Sequence, residues 1–340
     1  MILAGGLSTR LYPLTKNVPK PLVPVAGVPN VIHVIRYLRA YGFEEIAINL
    51  HYLSDAIMAT LGDGSRFGIS LHYSYEPELL GSAGAIKKMQ PFFGADTFVV
   101  IGCDDLTDLP LDRMLAFHRE RQAIASIGLV RCEEMEQYGV VEIDERGRVL
   151  RFQEKPPKGT EISKLANTGV YAFSPAIHEW IPRGEFYDFG KQVFPALQRA
   201  AEDFFGFEAR GSYWADIGTP SEYRRASYDL VNGTFTIPGV RGNGIDPSAE
   251  LGEGVRTHGP LWVGARTRIG DGVTIAGPSV VGNDAIVEPN ARLERTIVWD
   301  GATIGAGASL RDTIVGTNYR VASDATLTDA VVANEEIPAS

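Results

Sequence analysis

The sequence predicts an α/β fold, a Rossmann-like doubly wound mixed sheet, followed by a C-terminal left-handed parallel β-helix of hexapeptide repeats. Three observations carry this. Over the first two-thirds, short apolar runs alternate with amphipathic segments. Beyond about Gly233, aliphatic residues recur every sixth position. Between the two, the stretch Gly233 to Asp246 is rich in glycine, proline and threonine. The domain division that follows is residues 1–233, a linker at 234–244, and a β-helix at 245–340.

In the first part, residues 2–4, 46–50, 69–73, 98–103 and 123–130 read as strands. Several are apolar on both faces, as strands covered on both sides are. The clearest helix is expected over residues 30–41. Asn30 suits an N-cap, Val31, Val34, Ile35 and Leu38 form one apolar stripe, and Gly42 suits the stop. The βαβαβ order argues for a mostly parallel sheet with helices on both faces.

In the last part, Ile245, Leu251, Val263, Ile269, Ile275, Val281, Val287 and Leu293 keep a period of six, broken only by Thr257. The spacing then becomes five, six, six: Val298, Ile304, Leu310, then Val315, Val321, Leu327, then Val332. This period fits neither a helix nor a plain strand. It fits a triangular solenoid in which each hexapeptide forms one side and sends its aliphatic residue to the axis. The run resembles the repeats of left-handed parallel β-helices.

Composition narrows the function. The chain has 340 residues and a net charge of −10 with no Lys/Arg cluster, which argues against nucleic acid and anionic membrane as partners. An anionic substrate must be held by a few placed cations. Cys103 and Cys132 make no disulfide framework and no four-ligand metal site. No basic leader opens the sequence and no run has the length to span a bilayer, so a cytoplasmic protein is expected. The six histidines show no metal-ligand spacing and read as structural.

Chemistry gathers at the start. Leu3-Ala4-Gly5-Gly6-Leu7-Ser8-Thr9-Arg10 is a glycine-rich loop directly after the first strand. Small residues let backbone N–H groups approach a phosphate chain, and Arg10 ends the loop. Lys20 sits between Pro19 and Pro21, a stiffened stretch that loses little entropy on meeting an anion. Taken alone, a Gly-Gly turn after a strand is equally a tight turn.

The longer pattern is more specific. Residues 3–24 include Gly5-Gly6, Thr9-Arg10-Leu11, Pro13-Leu14-Thr15 and Pro19-Lys20-Pro21-Leu22-Val23-Pro24. They resemble the signature of nucleotide-sugar pyrophosphorylases, the sugar-1-phosphate nucleotidyltransferases. Leu80-Gly81-Ser82-Ala83-Gly84, Phe152-Gln153-Glu154-Lys155-Pro156, Asn167-Thr168-Gly169 and Trp214-Ala215-Asp216-Ile217-Gly218 follow in that family's order. Tyr138-Gly139-Val140-Val141 and Tyr187-Asp188-Phe189-Gly190 are most similar to mannose-1-phosphate guanylyltransferases. Two departures stand out. Ser8 replaces the loop's third glycine, and the usual Asn-Gly-Asp at the metal strand reads Gly102-Cys103-Asp104.

The resemblance implies roles. Asp104 and Asp216 would hold Mg²⁺, and Arg10 and Lys20 would neutralise the triphosphate and the departing pyrophosphate. Leu3, Ala4, Gly5, Gly6, Ser8 and Thr9 would line the nucleotide, with Gly81 and Ser82 against the base. Lys155 would bind the sugar phosphate, Glu154 would accept from sugar hydroxyls, and Gly139 and Asn167 would complete that pocket. The substrates would be a nucleoside triphosphate and a sugar 1-phosphate, first of all GTP and mannose 1-phosphate. Glucose-1-phosphate thymidylyl or uridylyl transfer is the alternative, as is a catalytically poor regulatory subunit that binds nucleotide sugar. An acyltransferase, a common use of hexapeptide β-helices, is disfavoured because His258 has no acyl-site partner. A homo-oligomer is expected, with the β-helix as the candidate contact.

Overall fold

The computed structural model describes residues 1–237, 240 and 242–334. Part of the expected linker 234–244 and residues 335–340 of the expected β-helix domain lie outside the described residues. By their contacts the residues form two compact units: Met1–Leu7 with Val34–Ala215, and Ser8–His33 with Asp216 onward. Among the described residues, no helix is long and apolar enough to cross a membrane.

The first unit is built on a mixed sheet. Strand Ile2–Leu3 lies between Glu45–Leu50 and Phe98–Gly102, parallel to both, with Ile2 level with Ile48 and Ile101. Ser70–Tyr75 extends the parallel set beyond Glu45–Leu50. On the other side the direction reverses: Leu165–Phe173 runs antiparallel to Phe98–Gly102 and to Ala125–Arg131. The continuous parallel set thus has four strands; Gly139–Ile143, Val149–Glu154 and Phe204–Glu208, the last parallel to Ala125–Arg131, complete a nine-stranded sheet. The apolar runs exist because these strands are covered on both faces: Ile46, Ala47, Ile48 and Val100, Ile101 are all buried. Rings of Phe93 and Phe98, and of Phe173, Phe189 and Phe194, stack in the core, and Phe98 meets Phe173 at a tilt. His118 and His178 are buried, and burial pushes both imidazoles down to about 4, so they pack as neutral rings near pH 7.

Helix Asn30–Ala40 buries its Val31, Val34, Ile35, Leu38 stripe and stops at Gly42, where φ is +84°. Asn30 is not an outlying cap. It is the first helical residue and is itself buried, because the chain enters directly from strand Val28–Pro29.

The second unit contains three short 3₁₀ turns, the hairpin Pro24–Val25/Val28–Pro29, helix Pro220–Asn232 and the solenoid. The helix begins with Thr219, whose side chain accepts from Glu222 N–H, and Pro220 follows at the first helical position. Gly233, at φ +74°, ends it.

The six-residue period becomes three parallel sheets of six, five and five strands. Ile245, Val263, Val281, Val298, Val315 and Val332 stack in register on one side. Leu251, Ile269, Val287, Ile304 and Val321 stack on the second; Thr257, Ile275, Leu293, Leu310 and Leu327 on the third. Each five-residue interval (Leu293 to Val298, Leu310 to Val315, Leu327 to Val332) falls at the same corner, so shortening a coil costs no register. Thr257 lies in the first coil and is exposed there.

The three sides differ outside. The first carries Trp262, Val280, Ile297 and Ile314 in register on its outer face, all buried. Arg268 and Arg320 on the second and Arg256 and Arg292 on the third are exposed. What covers the apolar side belongs to the same unit. The Trp262 ring lies against Gly27, where any side chain would collide with it. Trp299 meets Tyr223 of the helix edge-on at 6.0 Å, and Arg224 of that helix donates to the Asp312 carbonyl.

Candidate active site

In the first unit, the carboxyl ends of the parallel strands converge, the usual ligand edge of such a sheet. A buried polar chain ties them together. Ala4 N–H donates to Asn49 Oδ1 (2.9 Å), and Asn49 Nδ2 donates to Glu76 Oε1 (3.0 Å). Glu76 Oε2 then accepts from Leu80 N–H (3.0 Å). Glu76 is 0% exposed, so its carboxyl oxygens are met by these donors rather than by water. The chain fixes the glycine-rich loop to the Leu80-Gly81 segment. Gly5 is required for it: a Cβ there would stand 2.7 Å from Asn49 Nδ2. Sequence reasoning missed Asn49 and Glu76. The available signal was a polar residue inside an apolar strand and an acid just past the end of another.

Gly81, at φ +72°, is approached by the Tyr187 carbonyl, 2.5 Å from where a Cβ would be. Tyr187 O accepts from Ala83 and Gly84 N–H, and Ser82 Oγ donates to Asp188 Oδ2 (3.0 Å). Two N–H groups of the first turn of helix Gly81–Lys88, those of Ala83 and Gly84, are therefore satisfied by a protein carbonyl. Glu76 and Leu80 also line a cavity of about 530 Å³ with Lys87, Lys88 and Arg183.

The turn after Phe98–Gly102 holds two aspartates with different surroundings. Asp105 is buried; it accepts from Gly102 N–H (3.1 Å) and from the Trp214 indole N–H (3.0 Å). Gly169 packs against it at a bulge in Leu165–Phe173, with φ +74°. Asp105 is thus structural. Asp104 is half-buried at the tip of the turn. A Cβ at Gly102 would lie 2.5 Å from Asp105 Oδ2 and 2.6 Å from Asp104 Oδ1, so the unusual glycine makes room for both carboxylates.

Nearby elements of this unit hold the residues expected around the sugar phosphate. Glu154 ends strand Val149–Glu154, and Lys155 follows in the left-handed region at φ +44°. Desolvation, with Asp188 adding to it, raises the Glu154 carboxyl above its ordinary range against the opposing charges of Lys155 and Lys191. Gly139 and Gly190 bracket that carboxylate: a Cβ would come within 3.3 Å and 2.8 Å of Glu154 Oε2, respectively. Gly190 belongs to the Tyr187–Gly190 motif noted from sequence, which gave it no role of its own. Asn167 is oriented by donating to Tyr171 OH (3.0 Å) and accepting from Gly169 N–H (3.1 Å).

In the second unit, Arg10, Lys20 and Asp216 come together. Lys20 Nζ lies 3.5 Å from Asp216 Oδ1, and Arg10 Nη2 lies 3.9 Å from Asp216 Oδ2. Gly218 leaves them space, since a Cβ would be 2.8 Å from both Arg10 Nη2 and Asp216 Oδ1. Ser8 stands at φ 54°, ψ 38°, the left-handed conformation its missing glycine would adopt freely. Its carbonyl accepts from Leu11 N–H and Thr15 Oγ1. Thr9 opens the 3₁₀ turn that carries Arg10. Among the described residues, no group of three His, Cys, Asp or Glu side chains is gathered.

Residues 1–233 match the nucleotidyl transferase family, and residues 245–339 match the GMPPB C-terminal domain. The chain is 36% identical to a UTP–glucose-1-phosphate uridylyltransferase of Synechocystis, over 90% of this chain and 84% of that one. It is 33% identical to a mannose-1-phosphate guanylyltransferase of Mycobacterium tuberculosis, over 90% of this chain and 81% of the other. The solved structure of HddC from Yersinia pseudotuberculosis aligns at a TM-score of 0.58 and 30% identity, covering 66% of this chain and 96% of that one. The chain belongs to the nucleotidyl transferase family. Within it, the family match and the relatives define a sugar-1-phosphate nucleotidyltransferase with an appended β-helix.

Proposed function

We propose that the chain makes GDP-mannose from GTP and mannose 1-phosphate. The observation that carries this choice is the match of residues 245–339 to the GMPPB C-terminal domain, supported by the guanylyltransferase relatives. The Synechocystis relative favours a second reading, UTP with glucose 1-phosphate. In either case a phosphate oxygen of the sugar 1-phosphate attacks the α-phosphorus. The bond from α-phosphorus to the bridging oxygen breaks, and pyrophosphate leaves with that oxygen.

Such a transfer needs alignment and charge neutralisation more than covalent chemistry. In our reading Arg10 and Lys20 meet the charge that grows on pyrophosphate, and Leu3, Ala4, Gly5, Gly6, Ser8 and Thr9 follow the nucleotide. Gly81 and Ser82 border the base. Lys155 holds the sugar phosphate, while Glu154, Gly139 and Asn167 face the sugar. A carboxylate of raised pKa suits Glu154 for accepting from hydroxyls, because partial desolvation strengthens each bond it makes.

Asp104 and Asp216 supply hard oxygen donors in the small number that suits Mg²⁺, which keeps waters and takes the rest of its shell from phosphates. When bound, the ion would neutralise the α-phosphate and polarise it towards attack. The test is pyrophosphate release across a matrix of nucleoside triphosphates and sugar 1-phosphates, with the best turnover expected for GTP and mannose 1-phosphate. A clear preference for UTP or dTTP with glucose 1-phosphate would replace the first reading with the second.

A further inference from the structure

The segment bearing Arg10 and Lys20 has little regular structure to hold it. It is a series of 3₁₀ turns, Thr9–Leu11, Leu14–Lys16 and Lys20–Leu22, entered through a left-handed serine. A residue in such a conformation persists only where surrounding contacts over-determine it. Ser8 itself is held locally through its carbonyl, and within the second unit the residues that follow it, at 17, 24 and 27, are tied directly or through Tyr223 to three coils of the β-helix. Near its start, Trp262 fits over Gly27. In the middle, the buried Trp299 donates from Nε1 to Tyr223 OH (2.8 Å), and Tyr223 OH donates to Pro24 O (2.6 Å). At the end, Asn17 Nδ2, between Arg10 and Lys20 in sequence, donates to Asn334 O (2.5 Å). Asn334 is tied to the coil before it through its own Nδ2 and Thr317 O (3.3 Å).

We propose that the apolar outer side of the β-helix positions the cationic loop, with Tyr223, Trp299 and Asn17 as its positioning residues. The Tyr223 hydroxyl is the central joint. It is fully buried, it takes one hydrogen bond from the solenoid, and it gives one to the loop two residues beyond Leu22. Stacked parallel coils keep a fixed rise, so anchors on three of them hold the loop at three fixed points. On this account the β-helix takes part in catalysis without touching a substrate. The proposal rests on the reading that Arg10 and Lys20 meet the triphosphate, and its test separates the two.

The full chain carrying Tyr223→Phe is compared with wild type by amide hydrogen exchange without substrate. Amides of residues 9–24 should exchange at least tenfold faster, while those of residues 45–50 keep their rates. Steady-state kinetics should show the KM for nucleoside triphosphate raised at least fivefold, with the KM for sugar 1-phosphate within twofold. In a Lys20→Ala background the Tyr223→Phe effect on kcat/KM should shrink below twofold, because Tyr223 acts through the loop cation. Asn17→Ala, a half-buried site that leaves the core intact, should repeat the pattern more weakly. Unchanged exchange in residues 9–24, or a full Tyr223→Phe loss retained in the Lys20→Ala background, overturns the proposal. Faster exchange together with a Lys20→Ala enzyme of normal activity supports the positioning role and refutes the role given to Lys20.

Discussion

The β-helix and the strand-edge loops use their residues in opposite ways. In the solenoid one rule is applied at every side of every coil, and single exceptions are absorbed. Thr257 replaces an aliphatic residue in the first coil, and three five-residue intervals keep register because they share one corner. At the site nothing repeats. Gly5 leaves space for Asn49 Nδ2, Gly102 for the carboxylates of Asp104 and Asp105, Gly139 for the Phe152 ring and Gly190 for Glu154 Oε2. Redundancy makes a fold tolerant, whereas a site depends on single positions.

The largest effect should come where two residues share one task. If Asp104 and Asp216 hold one magnesium ion, either change to asparagine should lower turnover by several kcal/mol of transition-state stabilisation. The double change should cost little more than the worse single one, since residues acting as a unit are not additive. A double-mutant cycle at saturating magnesium, with thermal melts alongside, measures this. Additive losses would mean that the two act separately.

A matched pair of substitutions tests the contrast directly. Ile304→Ala, inside the solenoid, should cost about 3 kcal/mol of stability through the cavity it leaves, with turnover of the folded protein unchanged. Gly102→Ala adds one methyl group where Asp104 and Asp105 crowd. Asp105 is held by the Trp214 indole, so the turn must shift, and a displacement near 1 Å costs roughly a hundredfold in rate. Its melting temperature should move less than that of Ile304→Ala. Equal losses of stability in both, or an active Gly102→Ala enzyme, would break the distinction.

The same difference decided what could be read from sequence. The β-helix was legible down to the inward residue of each side, because the rule recurs and chance cannot imitate it. Its covered side was equally written there, as the doublets Trp262-Val263, Val280-Val281, Ile297-Val298 and Ile314-Val315 in register, one per coil. The periodicity alone, however, did not say that Gly27 and Tyr223 cover them, because those contacts join residues far apart in the chain. Leu3 to Gly6, Lys20 and Asp216 could be proposed from sequence through their family pattern. Asn49 and Glu76 could not, since each acts by meeting a partner that no local motif names, and Gly190 stood in a quoted motif that assigned it no role.

The smallest effect concerns Ser8, and it is the sharpest probe of whether a single site position is spent on conformation or on chemistry. Its φ of 54° and ψ of 38° place an L-residue in the left-handed region, which costs about 1–2 kcal/mol. Glycine removes that cost but loses about 0.5–1 kcal/mol more backbone freedom on folding. The net gain for Ser8→Gly should therefore be about 0.5 kcal/mol, from the difference of those two terms. In a chain of this size that is a rise of roughly 1 °C in melting temperature. The loop hydrogen bonds use the Ser8 carbonyl, which glycine retains, so turnover should stay within twofold. Ser8→Val moves the other way, because a β-branched residue at positive φ is a genuine outlier. It should destabilise the protein and raise the KM for nucleoside triphosphate. A Ser8→Gly enzyme that melts higher but loses activity would show that the hydroxyl itself meets the nucleotide, and that this position is spent on chemistry after all.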